Sequence, residues 1–486
     1  MFRPPLPQQA AQIRHFFADQ GYTEEQLRNK LGLSELPCRR LRNQARLLDA
    51  TRESNCLNAL LRWFWIGVPC AAADVRDSVP QWFLELAMGC GLLVEAGGQL
   101  VPELMLVPTD GLLIGSDPVS RMEAGDPQFV LWPNPTSRLL TRLMVRQPSS
   151  ATLDLGTGNG VLALVASAHS KAVVATDLNP RAVAYAEFNM QLNDAENVSV
   201  LVGDGLEPVQ GAKFDLIIAN PPFFVTPASR FLFCDNTLNL DQMCRKWARD
   251  AAAHLHDGGY FQMLCEWAQV SGQPWEERVS QWFDDIGCDV WIMKGCTQDP
   301  ADYAQERIRE TNPSLERDAT LYDSYMNYYR TNNVEAIHDG IIVIRRRSGK
   351  NWLLMEDVPQ TPTEPFGDAI QRRFEARDFL QAHADDEQLL QIKPRLSPIS
   401  RLEEAFQPVN GKWQLSSASL RLSKGLPCKS AVQPLVAEFL SACSGSRTLA
   451  EIIGEFATQA DVPSEKVTNE CILMVRMLID RGFVTA

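Results

Sequence analysis

Hydrophobic and polar positions change rhythm three times along the chain. Up to about residue 115, apolar residues recur at three- and four-residue spacing, which predicts helices. Thr23-Glu24-Glu25-Gln26 has the form of a capping box ahead of Leu27 and Leu31. Leu57 to Ile66 and Pro80 to Met88 read as further apolar helices, the second ending at Gly89-Cys90-Gly91. Leu92-Leu93-Val94, then Gly97-Gly98, then Leu100-Val101 predict a small hairpin. Helices followed by a hairpin suggest a winged-helix-like domain over 1–115. Trp63-Phe64-Trp65 within it reads as core rather than as a stacking surface.

From 116 to 358, strand and helix alternate, the mark of a parallel sheet with crossover helices. Ala151 to Leu155, Ala172 to Thr176, Val198 to Val202 and Phe214 to Ala219 read as the first four strands. Val161 to Ala168 and Pro180 to Met190 are the intervening helices, with Pro180 just inside a helix start. Tyr260 to Cys265, Asp289 to Met293 and Ile341 to Ile344 complete the set after an insertion carrying Tyr322, Tyr325, Tyr328 and Tyr329. The expected fold is α/β, a seven-stranded, mostly parallel sheet. Residues 359–430, with Pro359, Pro362, Pro365, Pro394 and Pro398 among charged residues, read as a connector with some helix. Leu449 to Phe456 and Val467 to Ile479 are amphipathic, so 431–486 is expected to form a second winged-helix-like domain. No clear repeat links the two ends.

Composition sets outer bounds. At 486 residues, with roughly 150 per domain, about three domains are expected. No run of about 18 apolar residues appears, and Met1-Phe2-Arg3-Pro4-Pro5 lacks the apolar segment of a signal peptide, so no membrane partner and a cytoplasmic location are expected. Twelve cysteines without a Cys-x-x-Cys pair read as reduced, mostly buried thiols. His254 and His256 do not share a helical face, so no metal site is expected. A formal charge of −14 excludes polyphosphate binding over the whole surface. Contact with nucleic acid would need a local patch: Arg39, Arg40, Arg42 and Arg46, or Arg345, Arg346, Arg347 and Lys350. Short basic runs more often solvate a face or close an edge strand.

Chemistry concentrates at the ends of the first four strands. Asp154-Leu155-Gly156-Thr157-Gly158-Asn159-Gly160 must bend sharply and let a ligand approach main chain. A dinucleotide turn would place glycine at 161, where this chain has Val161. Asp154 stands where a carboxylate can meet the cationic amino-acid end of S-adenosylmethionine, directly or through water. Asp177 closes the second strand, where an acid can accept both ribose hydroxyls. Asp204, after Gly203, can accept from an adenine amine. Ligands in open parallel sheets bind at these carboxyl ends.

Ile217-Ile218-Ala219-Asn220-Pro221-Pro222-Phe223 narrows the reaction. An amide or exocyclic base nitrogen is a poor nucleophile because its lone pair is delocalised. The Asn220 side-chain carbonyl and the Pro221 backbone carbonyl can accept both hydrogens of an NH2 group and favour a more tetrahedral nitrogen. Pro221 and Pro222 remove two backbone donors and stiffen the turn, and Phe223 can stack on a flat substrate. Methyl transfer then rests on in-line positioning, with no dedicated general base and the proton leaving to water.

These motifs resemble the class I S-adenosylmethionine-dependent methyltransferases, specifically the small-methyltransferase group of glutamine, rRNA guanine-N2 and tRNA adenine N-methyltransferases. The resemblance covers roughly 130–345. It rests on Leu153 to Gly160, Ala175-Thr176-Asp177-Leu178-Asn179-Pro180-Arg181-Ala182, Gly203-Asp204 and Asn220 to Phe223. It implies S-adenosyl-L-methionine as cofactor, bound by Asp154, Gly156, Thr157, Gly158, Asp177, Leu178, Asp204, Gly205 and Asn220. It implies that Asn220, Pro221, Pro222 and Phe223 hold the substrate nitrogen. Pro133-Asn134-Pro135-Thr136-Ser137 falls where these enzymes place a loop near donor and substrate. Glutamine enzymes usually carry tyrosine at the position of Phe223, and guanine-directed enzymes tend to follow with histidine, where this chain has Phe224. The expected substrate is an RNA base, with a protein or peptide glutamine amide as the alternative. A donor-binding regulatory protein with winged helices on DNA is a third reading, opposed by intact Asn220 and Pro221.

Overall fold

The computed structural model describes residues 3–33, 36, 44–227, 231–311, 319–358, 365–424, 429–432, 434–459 and 463–486. The expected basic positions Arg39, Arg40 and Arg42 lie outside them. Contacts divide the chain into two compact units, Met1–Thr141 with Arg146–Pro359, and Arg142–Val145 with Gln360–Ala486.

In the first unit, Thr23 caps helix Glu24–Leu31 by accepting from the Gln26 amide, and Gly32 closes it in the left-handed region. Helix Cys56–Leu61 runs into a π-helical turn, Arg62–Ile66, that drives Trp63, Phe64 and Trp65 inward to 2% exposure or less. Strands Leu93–Ala96 and Gln99–Pro102 form the expected hairpin, and Cys70–Ala71 adds a third strand.

Eight strands form the central sheet: β1 Ser149–Leu155, β2 Ser170–Asp177, β3 Val198–Val202, β4 Phe214–Ala219, β5 Leu255–Val270, β6 Cys288–Gln298, β7 Val334–Arg346 and β8 Leu353–Asp357. Their order is β8-β6-β7-β5-β4-β1-β2-β3. Neighbours run parallel except at β7, which is antiparallel to β5 and β6. The seven expected strands are present. β8 adds an eighth outside β6, its Leu353-Leu354-Met355 being too short a run to register as a strand. Near-continuous apolar runs such as Leu216 to Ala219 suit strands covered on both faces.

Helices α1 Val161–Ser167, α2 Pro180–Leu192 and α3 Gln242–Ala253 flank this sheet, and the tyrosine-rich insertion forms α4 Pro300–Thr311 and α5 Ala319–Thr331. Phe17, Phe64 and Phe83 share one buried cluster with Tyr185 and Phe188 of α2, so the N-terminal helices and the sheet-flanking layer have a continuous core.

The second unit contains helix Gly367–Ala382 and a three-stranded antiparallel sheet built on Ser400–Val409 and Lys412–Leu422. Sequence patterning missed that hairpin because most of its residues are solvent-exposed on both faces, leaving no apolar alternation to read. Helices Pro434–Ala442, Leu449–Gln459 and Ser464–Asp480 enclose a core containing Leu449, Val475, Leu478 and Phe483. Val484–Thr485 pairs with Arg395–Leu396.

Candidate active site

Strand register brings the two motifs side by side. Leu155 is paired with Ala219 on one flank and Thr176 on the other, and Asp177 is paired with Val202. Gly156, Asn220, Leu178 and Gly203 therefore follow directly at four adjacent strand ends, about 5 Å apart from strand to strand.

The glycine turn is held from both sides by carboxylates. Asp154 Oδ2 accepts from the Thr157 hydroxyl at 2.6 Å and from the Ala163 amide at 3.0 Å. Its Oδ1 is buried and accepts no hydrogen bond among the described residues. Burial pushes this carboxyl up to about 7, against the pull of the two donors. Asp177 Oδ2 accepts from the Gly158 amide and Oδ1 from the Asn179 amide, each at 2.8 Å. Burial raises its pKa too. The Gly156 and Thr157 amides both donate to the Thr176 carbonyl at 2.9 Å, so Thr157 acts on the turn through its side chain and its main chain alike. Gly156 and Gly158 take φ of +75° and +56°, a region that favours glycine. A Cβ on Gly158 would meet nothing within 4 Å, so that side of the turn is open.

Leu178 is 55% exposed and Val202 54% exposed at neighbouring strand ends, an apolar pair at the mouth of the turn. Asp204 is exposed beside them, and Gly205 takes φ of +53° while accepting from the Thr176 hydroxyl at 3.3 Å. Patterning missed Trp247 on α3. Its ring would lie 3.1 Å from a Cβ on Gly156, and its Nε1 3.9 Å from one on Gly205, so it bridges the two halves of the cradle. Cys244, Trp247, Ala248 and Ala251 mark the inward face of α3, but nothing in that spacing says which loop the indole covers.

Asn220 Oδ1 is buried and unpartnered among the described residues, and the Pro221 carbonyl is likewise unengaged there. The next carbonyl, of Pro222, accepts from Asn236 Nδ2 at 2.7 Å. Asn220 Nδ2 reaches Thr136 Oγ1 at 3.5 Å, placing the Pro133–Ser137 loop against this turn. Phe223 is 9% exposed and meets Phe224 edge-on, with the Arg307 guanidinium 4.3 Å from the Phe224 ring. The tyrosine-rich insertion grips the chain just beyond. The Val225 amide donates to the Tyr303 hydroxyl at 3.1 Å, and the Tyr329 hydroxyl donates to the Val225 carbonyl at 2.9 Å. Tyr303 in turn donates to Glu266, a fully buried carboxyl that burial pushes up to about 7.

The second basic run is built into the fold. Arg345 donates to Asp289 at 2.8 Å, Arg347 lies 3.8 Å from the same carboxylate, and Arg346 donates to the Ala252 carbonyl at 2.9 Å. Among the described residues, no helix is long and apolar enough to cross a membrane, and no cluster of three or more His, Cys, Asp or Glu is arranged to hold a metal ion.

A doubly wound sheet with a glycine turn held by two acids and an Asn-Pro-Pro-Phe turn in register defines a class I methyltransferase. Residues 133–273 match the model of the methyltransferase small domain, and residues 371–486 match a domain of unknown function. A putative protein N5-glutamine methyltransferase from Methanocaldococcus jannaschii is 31% identical over 141 residues, 27% of this chain and 70% of that one. Ribosomal protein L11 methyltransferase from Clostridium perfringens is 41% identical over 88 residues, 18% of this chain and 28% of its own. Release factor glutamine methyltransferase from Moorella thermoacetica is 41% identical over 78 residues, 15% of this chain and 28% of its own. The chain thus spans little more than a quarter of the length of the last two. Trm5b from Pyrococcus abyssi overlaps 56% of this chain and 68% of its own at 17% identity, with a TM-score of 0.31. The chain belongs to the small-methyltransferase family of S-adenosylmethionine-dependent enzymes, whose methyl donor is S-adenosylmethionine.

Proposed function

We propose that the protein transfers a methyl group from S-adenosylmethionine to a planar NH2 nitrogen, and that the acceptor is a side-chain amide of a polypeptide. One observation carries the reaction: Asn220 Oδ1 is buried without a partner beside the unengaged Pro221 carbonyl. A buried acceptor left open is costly unless a ligand completes it, and Asn220 Oδ1 together with the Pro221 carbonyl suits the two hydrogens of one NH2 group.

The cradle fits the donor. Asp154 Oδ1 is an unpartnered acid for its ammonium, Gly158 leaves its side open, and Leu178 with Val202 offers an apolar surface to a purine. Asp177 and Asp204, at the ends of the next two strands, are read as the acceptors for ribose and adenine. Bound there, the donor supplies an electrophilic methyl on a sulfonium. Asn220 and Pro221 hold the acceptor nitrogen so that its lone pair faces that methyl. With the nitrogen so held, the donor would supply its methyl group to that lone pair and depart as the neutral thioether, and the extra proton would leave to water.

The polypeptide reading is favoured over an RNA base because Arg345, Arg346 and Arg347 are engaged within the fold, on a chain of net charge −14. The full-length protein is incubated with tritiated S-adenosylmethionine and lysate from cells lacking its gene. Label lost to protease and kept after ribonuclease is expected. Label lost to ribonuclease alone would move the substrate to RNA, and an absence of any macromolecular label would contradict both.

Asp154 also sets a pH dependence. Its carboxyl holds a proton up to about 7 when no ligand is bound, and an ammonium favours the ionised form. Binding then releases a proton below that point. Affinity for S-adenosylhomocysteine, which has the same amino-acid end, should rise between pH 6 and 7 by up to about tenfold per unit. Calorimetry in buffers of different ionisation enthalpy checks it. A pH-independent affinity with no proton release would remove Asp154 from the ammonium site.

A further inference from the structure

We infer that Thr136 is a positioning residue that fixes which end of the Asn220 amide faces the acceptor nitrogen. The inference rests on the reading that Asn220 accepts from an NH2 group.

The direction of the hydrogen-bond chain follows from its far end. The Ser137 main-chain amide donates to Asn134 Oδ1 at 2.9 Å. A backbone N–H can only donate, so the oxygen of the Asn134 amide must be the atom facing it. The Asn134 main-chain amide donates in return to Ser137 Oγ at 3.0 Å, which locks the turn at the start of helix Pro135–Leu143. The Thr136 hydroxyl donates to the same Asn134 Oδ1 at 2.7 Å. That uses its single proton. Towards Asn220, 3.5 Å away, Thr136 can therefore only accept. Asn220 must turn its NH2 to Thr136, and its carbonyl oxygen is left in the orphaned position.

The consequence is chemical rather than structural. With the amide reversed, Asn220 would present two N–H donors to the acceptor group. The site would then repel an NH2 substrate and leave the lone pair of its nitrogen misdirected. Thr136 acts through Asn220: it selects the sense of the residue that holds the acceptor nitrogen. A β-branched residue suits the position because its restricted χ1 holds the hydroxyl in place.

Thr136→Val keeps the shape and removes the acceptor, Thr136→Ser restores the acceptor without the methyl, and Asn220→Ala reports on the underlying reading. Initial rates of tritium transfer into the lysate fraction labelled by the wild-type protein are measured at saturating donor, beside the affinity for S-adenosylhomocysteine. Thr136→Val is expected to lower kcat by about tenfold or more. Its affinity for S-adenosylhomocysteine should stay within about twofold, and Thr136→Ser should recover most of the rate. Wild-type turnover in Thr136→Val, with Asn220→Ala inactive, would overturn the positioning role alone. Full activity in Asn220→Ala would overturn the acceptor reading and this inference with it. A parallel loss of kcat and donor affinity in Thr136→Val, not rescued by serine, would assign Thr136 a purely structural role and overturn the inference.

Discussion

Asn220→Ala should reduce methyl transfer on the order of a thousandfold while leaving the fold and most of the donor affinity intact. In the proposed reaction the loss is large because Asn220 Oδ1 is one of the two acceptors assigned to the substrate nitrogen, and it sits buried where water cannot replace it. Removing one preorganised hydrogen-bonding group from an enzyme site costs about 10²–10³ in kcat. Here a second effect adds to it, because an amide nitrogen released from its acceptor relaxes to the planar, unreactive geometry. The fold should survive because the Asn220 side chain makes one long hydrogen bond among the described residues, to Thr136, and the turn beyond it is held independently by Asn236 on the Pro222 carbonyl and by Tyr303 and Tyr329 on Val225. Single-turnover rates with labelled donor, with circular dichroism as a control, check this. A variant that keeps more than about a tenth of wild-type turnover would show that the Pro221 carbonyl suffices.

The second large effect is expected at Asp177. Asp177→Ala removes the acceptor for the Gly158 and Asn179 amides together, so Gly158 loses its own tie to the end of β2. Hydrogen bonds to a charged group contribute roughly 1.5–3 kcal/mol each. Loss of that order corresponds to about a hundredfold weaker donor binding. The turn itself should persist, since Gly156 and Thr157 still donate to the Thr176 carbonyl. Because burial raises the pKa of Asp177, part of the cost of keeping it ionised disappears in the variant, and thermal stability should fall less than donor affinity. Calorimetric titration with S-adenosylhomocysteine and a melting curve separate the two. Equal affinity in variant and wild type would assign the ribose to another group.

Both motifs were legible because their demands are local. Gly156, Gly158 and Gly160 all take positive φ, and a turn that needs three such residues leaves its mark directly in composition. Strand-then-proline at Ala219 to Pro222 is equally self-contained. Trp247 was not legible, because an aromatic residue on an amphipathic helix looks the same whether it fills a core or covers a ligand turn some 90 positions upstream. Tyr329 was visible as composition but not as a grip on Val225, which lies 104 residues away, and Tyr303, 78 residues from the Val225 amide, gave no signal at all. Arg345, Arg346 and Arg347 were read mainly as a run that solvates a face or closes an edge strand, and their partners stayed hidden for a related reason. As a run they resemble a nucleic-acid patch, yet the carboxylate that takes Arg345 and Arg347 lies on β6, far upstream in the chain. Sequence exposes charge but not its partner.

The tyrosine-rich insertion also changes how the substrate turn is understood. Its two hydroxyls hold both the N–H and the C=O of Val225, so α4 and α5 anchor the chain beyond Phe223 in the arrangement seen here. Tyr329→Phe should therefore cost activity before it costs donor binding, measured by the same pair of assays.

Chemical identity of the methylated atom tests the account most directly. Polypeptide labelled from tritiated S-adenosylmethionine is hydrolysed in strong acid, and the volatile base is collected and chromatographed. A methyl carried on a side-chain amide nitrogen must be released as labelled methylamine, and that is the result expected. Label that stays with a non-volatile amino acid, or that comes off as methanol, would place the methyl on carbon, sulfur, an amine or an ester oxygen and contradict the acceptor pair at Asn220 and Pro221.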